Sequence, residues 1–415
     1  MGDTVFRFLI GIAMVASATL AHAAETVKVA LNMPMSGPFA NIGDLYEKSS
    51  LFAIEAINQR GGVLNGRRFE IVAFDNKNSP QEALLVLKQI TDRKIRFMVQ
   101  GGGSHIAVPL AEAVKKHNER EPGNRLLFLD EPGDQDLTNE KCNFWTFMFM
   151  ANAEIKMEAL TNYIAKQKHV RRAYLINQDY LFGQQVARYA RQMLARKRPD
   201  IKIVGDNLHP LGKVKDFSPY VAKIKASNAD TVITGNWGAD FALLIRAAAS
   251  SGLDANFYSY YPIGPGAPTA MGPAGADRVK GIWRWHPNLS FETERKSADE
   301  YKRRYGLEYY AIPINNLLEM LATAINRAGS TDPLRVAYAL ENLRILGSMG
   351  EVWMRPDDHQ LFEPLYIFTV TRVNGRDVRY DMENTGLGTR TDARIEARDM
   401  LLPTRCKMRR PPRPQ

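Results

Sequence analysis

Apolar runs and helical periodicities take turns along this chain. Residues 27–33 read as a buried strand, and residues 44–58 set Leu45, Phe52, Ala53, Ala56 and Ile57 at helical spacing. Gly61-Gly62 closes that helix, as glycines beyond a C-cap do. The pattern then predicts a strand over 68–74, a helix opened by Pro80 through Leu84, Leu87 and Ile90, a strand over 96–99, a helix over 106–116 and a strand over 126–129. This β-α-β-α succession is that of a parallel sheet covered on both faces.

The pattern starts again after Phe149. Helices run through Met157, Leu160 and Ile164, then through Val186, Ala190 and Met193, then over 221–226 and 241–249. Strands are predicted over 173–177, 201–206, 231–234 and 257–260. Two α/β units of similar size, without a detectable sequence repeat, imply two lobes. Ligands of open parallel sheets bind beyond the carboxyl ends of the strands, so two such edges can face each other across a cleft and close by a hinge. The last third predicts helices over 294–304, 314–327 and 333–343, the middle one with Leu317, Leu318, Leu321, Ala324 and Ile325 on one face. Strands over 351–354 and 365–373 follow, and from Asn374 the chain turns polar and irregular.

The N-terminus needs separate treatment. Arg7 precedes an apolar run from Phe8 to Leu20, followed by the small-x-small triplet Ala21-His22-Ala23. This predicts a secretory signal peptide cleaved after Ala23, and hence a periplasmic protein. The run is shorter than the roughly 20 residues of a membrane-spanning helix, and no lipid-anchoring cysteine follows it. In an oxidising compartment the two cysteines, Cys142 and Cys406, are expected to form one disulfide; two separate thiols are the alternative. The net charge of +10 is uneven, with Arg405, Lys407, Arg409, Arg410 and Arg413 crowding a proline-rich tail. Such a tail can bind nucleic acid or acidic lipid, but for an exported chain a solvated, flexible end is the plainer expectation. No nucleic-acid partner is inferred. Hydrophobic residues at 45% and charged residues at 24% fit a globular protein with a sizeable core, and the length allows two or three domains.

The opening of the mature chain carries Ser36-Gly37-Pro38, Gly43, Ala53, Ile57-Asn58, Gly61-Gly62, Gly66, Asp75, Pro80 and Ala83 in order. That combination resembles the leucine/isoleucine/valine-binding family of periplasmic ABC-transporter proteins, and "DYLFGQQVA", "AMGPAG" and "GSMGEVWMRPDDHQ" extend the resemblance over nearly the whole mature chain. It implies a type I periplasmic binding fold: two Rossmann-like α/β lobes with parallel-sheet cores joined by a three-crossing hinge. Lobe 1 would hold 25–143 and 286–345, lobe 2 would hold 144–285 and 346–380, and 381–415 would be an extension. It also implies a small-molecule ligand, an ABC permease in the inner membrane as partner, a monomer, and neither cofactor nor metal.

Site residues follow from position and resemblance together. Ser36 lies in the loop after the first strand, where it can meet a ligand or fix the turn. Family members use a hydroxyl residue in the loop that reads Gly101–His105 here to bind a ligand carboxylate, which singles out Ser104, with His105 beside it; a capping serine and a surface histidine are the alternative. The following loop offers Glu131 and Gly133, with three acids where the family has small or hydroxyl residues. On the second lobe Tyr180, Asn236, Trp237 and Tyr260 match cleft positions. Amino-acid binders carry an acid in the segment "MGPAG", where this chain has Ala274, and a buried ammonium without a paired charge is costly. Unless Asp130, Glu131 or Asp134 takes over that role, the departure disfavours a standard α-amino acid and favours an aromatic or aliphatic carboxylate or an amide-like solute. Two other functions compete. The same fold serves as the sensor subunit of signalling systems. An exported enzyme is the other, but the chain shows no metal spacing and no nucleophile elbow.

Overall fold

A computed structural model describes residues 26–131, 133–289, 292–309, 313–347 and 349–414. The expected export segment and its cleavage point lie outside these residues. The first sheet is built from β1 (Val27–Met33), β2 (Phe69–Asp75), β3 (Phe97–Gln100), β4 (Leu127–Asp130) and β5 (Thr146–Met148), in the order β2-β1-β3-β4-β5. Every pairing in it is parallel. The second sheet holds β6 (Arg172–Gln178), β7 (Lys202–His209), β8 (Thr231–Thr234), β9 (Asn256–Ser259) and β10 (Val279–Trp283). A three-stranded sheet of β11 (Arg344–Gly347), β12 (Gly350–Met354) and β13 (Leu361–Phe362) lies between. β14 (Leu365–Arg372) and β15 (Leu387–Ile395) then return to the second sheet, antiparallel, giving the order β15-β14-β10-β9-β8-β6-β7.

The helices α1 (Ala40–Gln59), α2 (Pro80–Asp92) and α3 (Ser104–Arg120) serve the first sheet, and α4 (Ala153–Ile164), α5 (Leu181–Lys197), α6 (Ser218–Ala226), α7 (Gly238–Ser250) and the short α8 (Ala267–Met271) serve the second. α9 (Glu292–Tyr305), α10 (Pro313–Ala328) and α11 (Pro333–Leu340) come after the second crossing, and α10 packs on α1. The chain therefore passes between the lobes after β5, after β10 and between α11 and β14.

Local chemistry explains the boundaries. All four positions of β3 and of β4 are buried, as strands covered on both faces require. Ser79 caps α2 by accepting from the Glu82 amide, with Pro80 at the first helical position. Asn152 caps α4 through the Ile155 amide, and Asp332 caps α11 through Leu334 and Arg335. The apolar stripe of α10, from Leu317 to Ile325, is buried against α1 and α11, and each leucine there stabilises by about 1.5–3 kcal/mol.

Two expected junctions fall elsewhere. β5 bonds to β4, so the first lobe runs beyond residue 143. The stretch from residue 381 is no appendage, because β15 edges the second sheet. The basic tail is also pinned, against the expectation of a solvated end. Thr404 donates to the Thr138 carbonyl at 2.8 Å, Arg405 pairs with Glu140 at 2.8 Å and Arg410 with Glu341 at 3.0 Å, and Arg413 lies 4.9 Å over the Tyr338 ring. Cys142 and Cys406 are bonded, with their Cα atoms 5.7 Å apart. The tail thus straps the end of the second lobe to the first. None of the described helices is long and apolar enough to cross a membrane.

A bridge closing a loop of 264 residues restricts the unfolded chain strongly. The double variant Cys142→Ser, Cys406→Ser is expected to lose about 2–4 kcal/mol of stability, read from denaturant midpoints. Equal midpoints for the variant and the oxidised parent would show that the strap holds nothing.

Candidate ligand-binding site

The carboxyl ends of the parallel strands of both sheets face one another across a cavity of about 110 Å³. The first lobe lines it with Ile42, Leu45 and Tyr46 of α1, with Gly101, Gly103 and Ser104 after β3, and with Glu131 and Gly133 after β4. The second lobe supplies Tyr180 and Phe182 after β6, Trp237 and Gly238 after β8, the turn Tyr260-Tyr261-Pro262 after β9, and Trp283 and Arg284 at the end of β10.

The jaws are shut. Phe39, from the loop after β1, is buried against Trp237 of the other lobe, with ring centroids 4.5 Å apart. It rests on two glycines of the second lobe: a Cβ on Gly212 would come within 2.7 Å of its ring, and one on Gly238 within 3.1 Å. His105 meets Tyr180 edge-on at 5.4 Å across the same gap.

Charge is concentrated on one side. Arg284 is buried and binds Glu131, the Phe149 carbonyl, and Glu363 at 2.8 Å. Glu131 also accepts from the Tyr46 hydroxyl at 3.4 Å, while its other oxygen has no partner. Burial outweighs the pull of Arg284, which Glu363 shares, and raises Glu131 to about 7. Burial likewise raises Asp134 to about 6 and holds Asp130, neither of whose oxygens has a partner, well above the ordinary range. Behind the lining, the buried Lys156 ammonium sits 4.8 Å from the Tyr261 ring and 4.7 Å from the Trp283 ring. Burial pushes its pKa well below the usual lysine value. Among the described residues no cluster of three His, Cys, Asp or Glu side chains could hold a metal ion.

The structure brings six of the nine expected residues to this cavity: Ser104, Glu131, Gly133, Tyr180, Trp237 and Tyr260. Ser104 begins α3 behind Gly103, which offers no capping side chain, and its buried hydroxyl has no partner. Trp237 Nε1 donates to the Tyr180 hydroxyl at 2.7 Å, and Tyr260 donates to the Ala153 carbonyl at 2.8 Å. Three lie elsewhere. Ser36 donates to Asp75 at 2.6 Å and fixes its turn to the end of β2. His105 stands behind the wall with Nε2 at 3.4 Å from the Asn78 carbonyl. Asn236 is buried and donates to His209 Nε2 at 2.8 Å. The inference from Ala274 fails on placement. α8 separates it from the end of β9, and it lines a different pocket with Ile245, Phe257 and Met271. The turn that follows β9 into the cleft is Tyr260-Tyr261-Pro262. Tyr46, Arg284 and Lys156 escaped the sequence reading; an arginine between Trp283 and Trp285 was the available signal.

Two parallel-sheet lobes, linked three times and shut around a small cavity, are the architecture of a type I solute-binding protein. The profile of the periplasmic binding protein family matches residues 26–377, and the chain belongs to that family. Its members bind small molecules and are not enzymes. A Leu/Ile/Val-binding protein homolog from Brucella melitensis is 34% identical over 360 residues, covering 84% of this chain and 85% of the relative. The closed form of a leucine-, isoleucine-, valine-, threonine- and alanine-binding protein from Brucella ovis superposes with a TM-score of 0.80 at 31% identity, covering 94% of this chain and all of that one. An ABC-transporter solute-binding protein from Rhodopseudomonas palustris, solved with 3,4-dihydroxybenzoic acid, shares the fold at a TM-score of 0.75 and 16% identity, covering 90% of this chain and 98% of that one.

Two outcomes follow from the buried charges. Arg284→Met leaves Glu131 and Glu363 buried without their cation and should cost about 3–5 kcal/mol in denaturant unfolding. Glu131 and Asp134 both hold protons more tightly in the folded chain, so their contribution is full below the ordinary carboxylate range and is lost as pH rises through about 6 and then about 7. The melting temperature of the ligand-free protein should fall over that interval, and Glu131→Gln should remove the upper part of the fall.

Proposed function

We propose that this chain is an exported, monomeric solute-binding protein of an ABC importer. It takes a small carboxylate, aromatic or amino-acid-like, between its lobes in the periplasm and hands it to an inner-membrane permease. The observation that carries the reading is Ser104: a buried, unpartnered hydroxyl in the cavity wall, at the positive end of a long helix with no side-chain cap. A carboxylate there meets the hydroxyl and the first amides of α3. The aromatic walls of Tyr46, Trp237, Tyr260 and Trp283 suit an apolar or aromatic body. Glu131 keeps one free oxygen for an ammonium or hydroxyl donor. The named ligands of the Brucella and Rhodopseudomonas proteins, amino acids in one case and a benzoic acid in the other, span the same range.

The mechanism is binding without chemistry. Only contacts made in the shut state drive closure, because a ligand shifts an equilibrium by its differential affinity for the two states. Residues from both lobes must therefore touch it, and the shut form is the one that docks on the permease.

A thermal-shift panel of amino acids, aromatic acids, short aliphatic acids and amides tests this. A ligand present at a hundredfold its Kd adds about 2.7 kcal/mol of apparent stability, and the same ligand should compact the protein in solution scattering. Ser104→Ala should weaken that ligand by roughly tenfold or more. A panel without a single stabilising acid or amino acid would sink the reading.

A further inference from the structure

Two of the three tyrosine hydroxyls on the second lobe's wall are not free to play either hydrogen-bonding role. An indole N–H can only donate, so at 2.7 Å from Trp237 Nε1 the Tyr180 oxygen must accept. Its own proton then points elsewhere, and no acceptor among the described residues takes it. Tyr261 is placed alike. The Lys156 ammonium lies 3.5 Å behind its oxygen, and its proton is offered only to the Met150 thioether at 3.7 Å, a weak acceptor. The third tyrosine of this wall, Tyr260, already spends its proton on the Ala153 carbonyl. Tyr180 and Tyr261 both line the cavity.

We propose that the Trp237–Tyr180 pair makes the second lobe a reader of hydrogen-bond acceptors: the solute carries, besides the carboxylate that Ser104 would hold, an oxygen acceptor facing Tyr180. Such a two-ended solute bridges the lobes by polar contacts on both sides. An acid with an apolar far end makes polar contacts with the first lobe alone and closes the jaws less well. The inference rests on the acid-binding reading of the same cavity and narrows its ligand class to acids with a second oxygen function.

Isosteric pairs test it by calorimetry: 4-methylbenzoate against 4-hydroxybenzoate, and leucine against asparagine. On the unaltered protein the oxygen-bearing member of whichever scaffold binds should be tighter by roughly tenfold, the worth of a hydrogen bond that would otherwise go unmade. Tyr180→Phe should abolish that ratio, whatever it does to the affinity of the methyl member. Trp237→Phe, which releases the Tyr180 oxygen to accept, should narrow it even if both affinities drop. A preference for the methyl member, or a ratio unmoved by Tyr180→Phe, overturns the proposal while leaving acid binding intact. If neither scaffold binds and no other acid does, the acid-binding reading falls and takes this one with it.

Discussion

Arg284 is the residue on which the arrangement turns. It leaves the end of β10 at the second crossing, binds the Phe149 carbonyl at the first, and binds Glu363 beside the third. Its remaining contact, Glu131, belongs to the cleft. One guanidinium therefore ties all three connections between the lobes to the wall of the binding cavity. A cation so far from water is tolerable only because its acceptors are fixed around it. Glu363 is held in turn by Asn316 of α10 at 3.0 Å, and Gln360 reaches the Met150 carbonyl at 2.7 Å. The hinge is thus a polar knot rather than a loose linker.

Much of the fold was legible because parallel strands announce themselves as apolar runs. β1, β3 and β4 lie within a residue of their expected limits, since both faces are covered at every position of β3 and β4 and at all but Lys28 of β1. The strands that escaped notice lack that signal. β5 has three residues and β13 two, β10 carries Gly281 at its centre, β11 alternates exposed and half-buried positions, and β15 carries polar side chains along the sheet edge. Its partner β14 supplies the apolar half of that pairing, which is why the chain after Asn374 looked structureless.

The site was legible in part for a different reason. Ser104, Glu131, Gly133, Tyr180 and Trp237 all follow strands at their carboxyl ends, so topology alone brings them to the cleft. Position relative to a strand end did not separate lining from backing, however. Asn236 and Trp237 are neighbours, yet one turns inward to His209 while the other faces the cavity. Ala274 shows the opposite error: a familiar string was given a place that an intervening helix denies it. Lys156 and Tyr46 sit on helices, where no strand end marks them, and only the folded chain brings them together with Arg284.

Neither lobe is a continuous stretch of chain. The first needs α10 to cover α1, and the second needs β14 and β15 to complete its sheet. The last fastening, from Cys142 to Cys406, joins an early segment to the final ten residues. Assembly of the lobes therefore cannot be finished in order from the front. The helix α1 must wait, uncovered on one face, until α10 joins it from far down the chain.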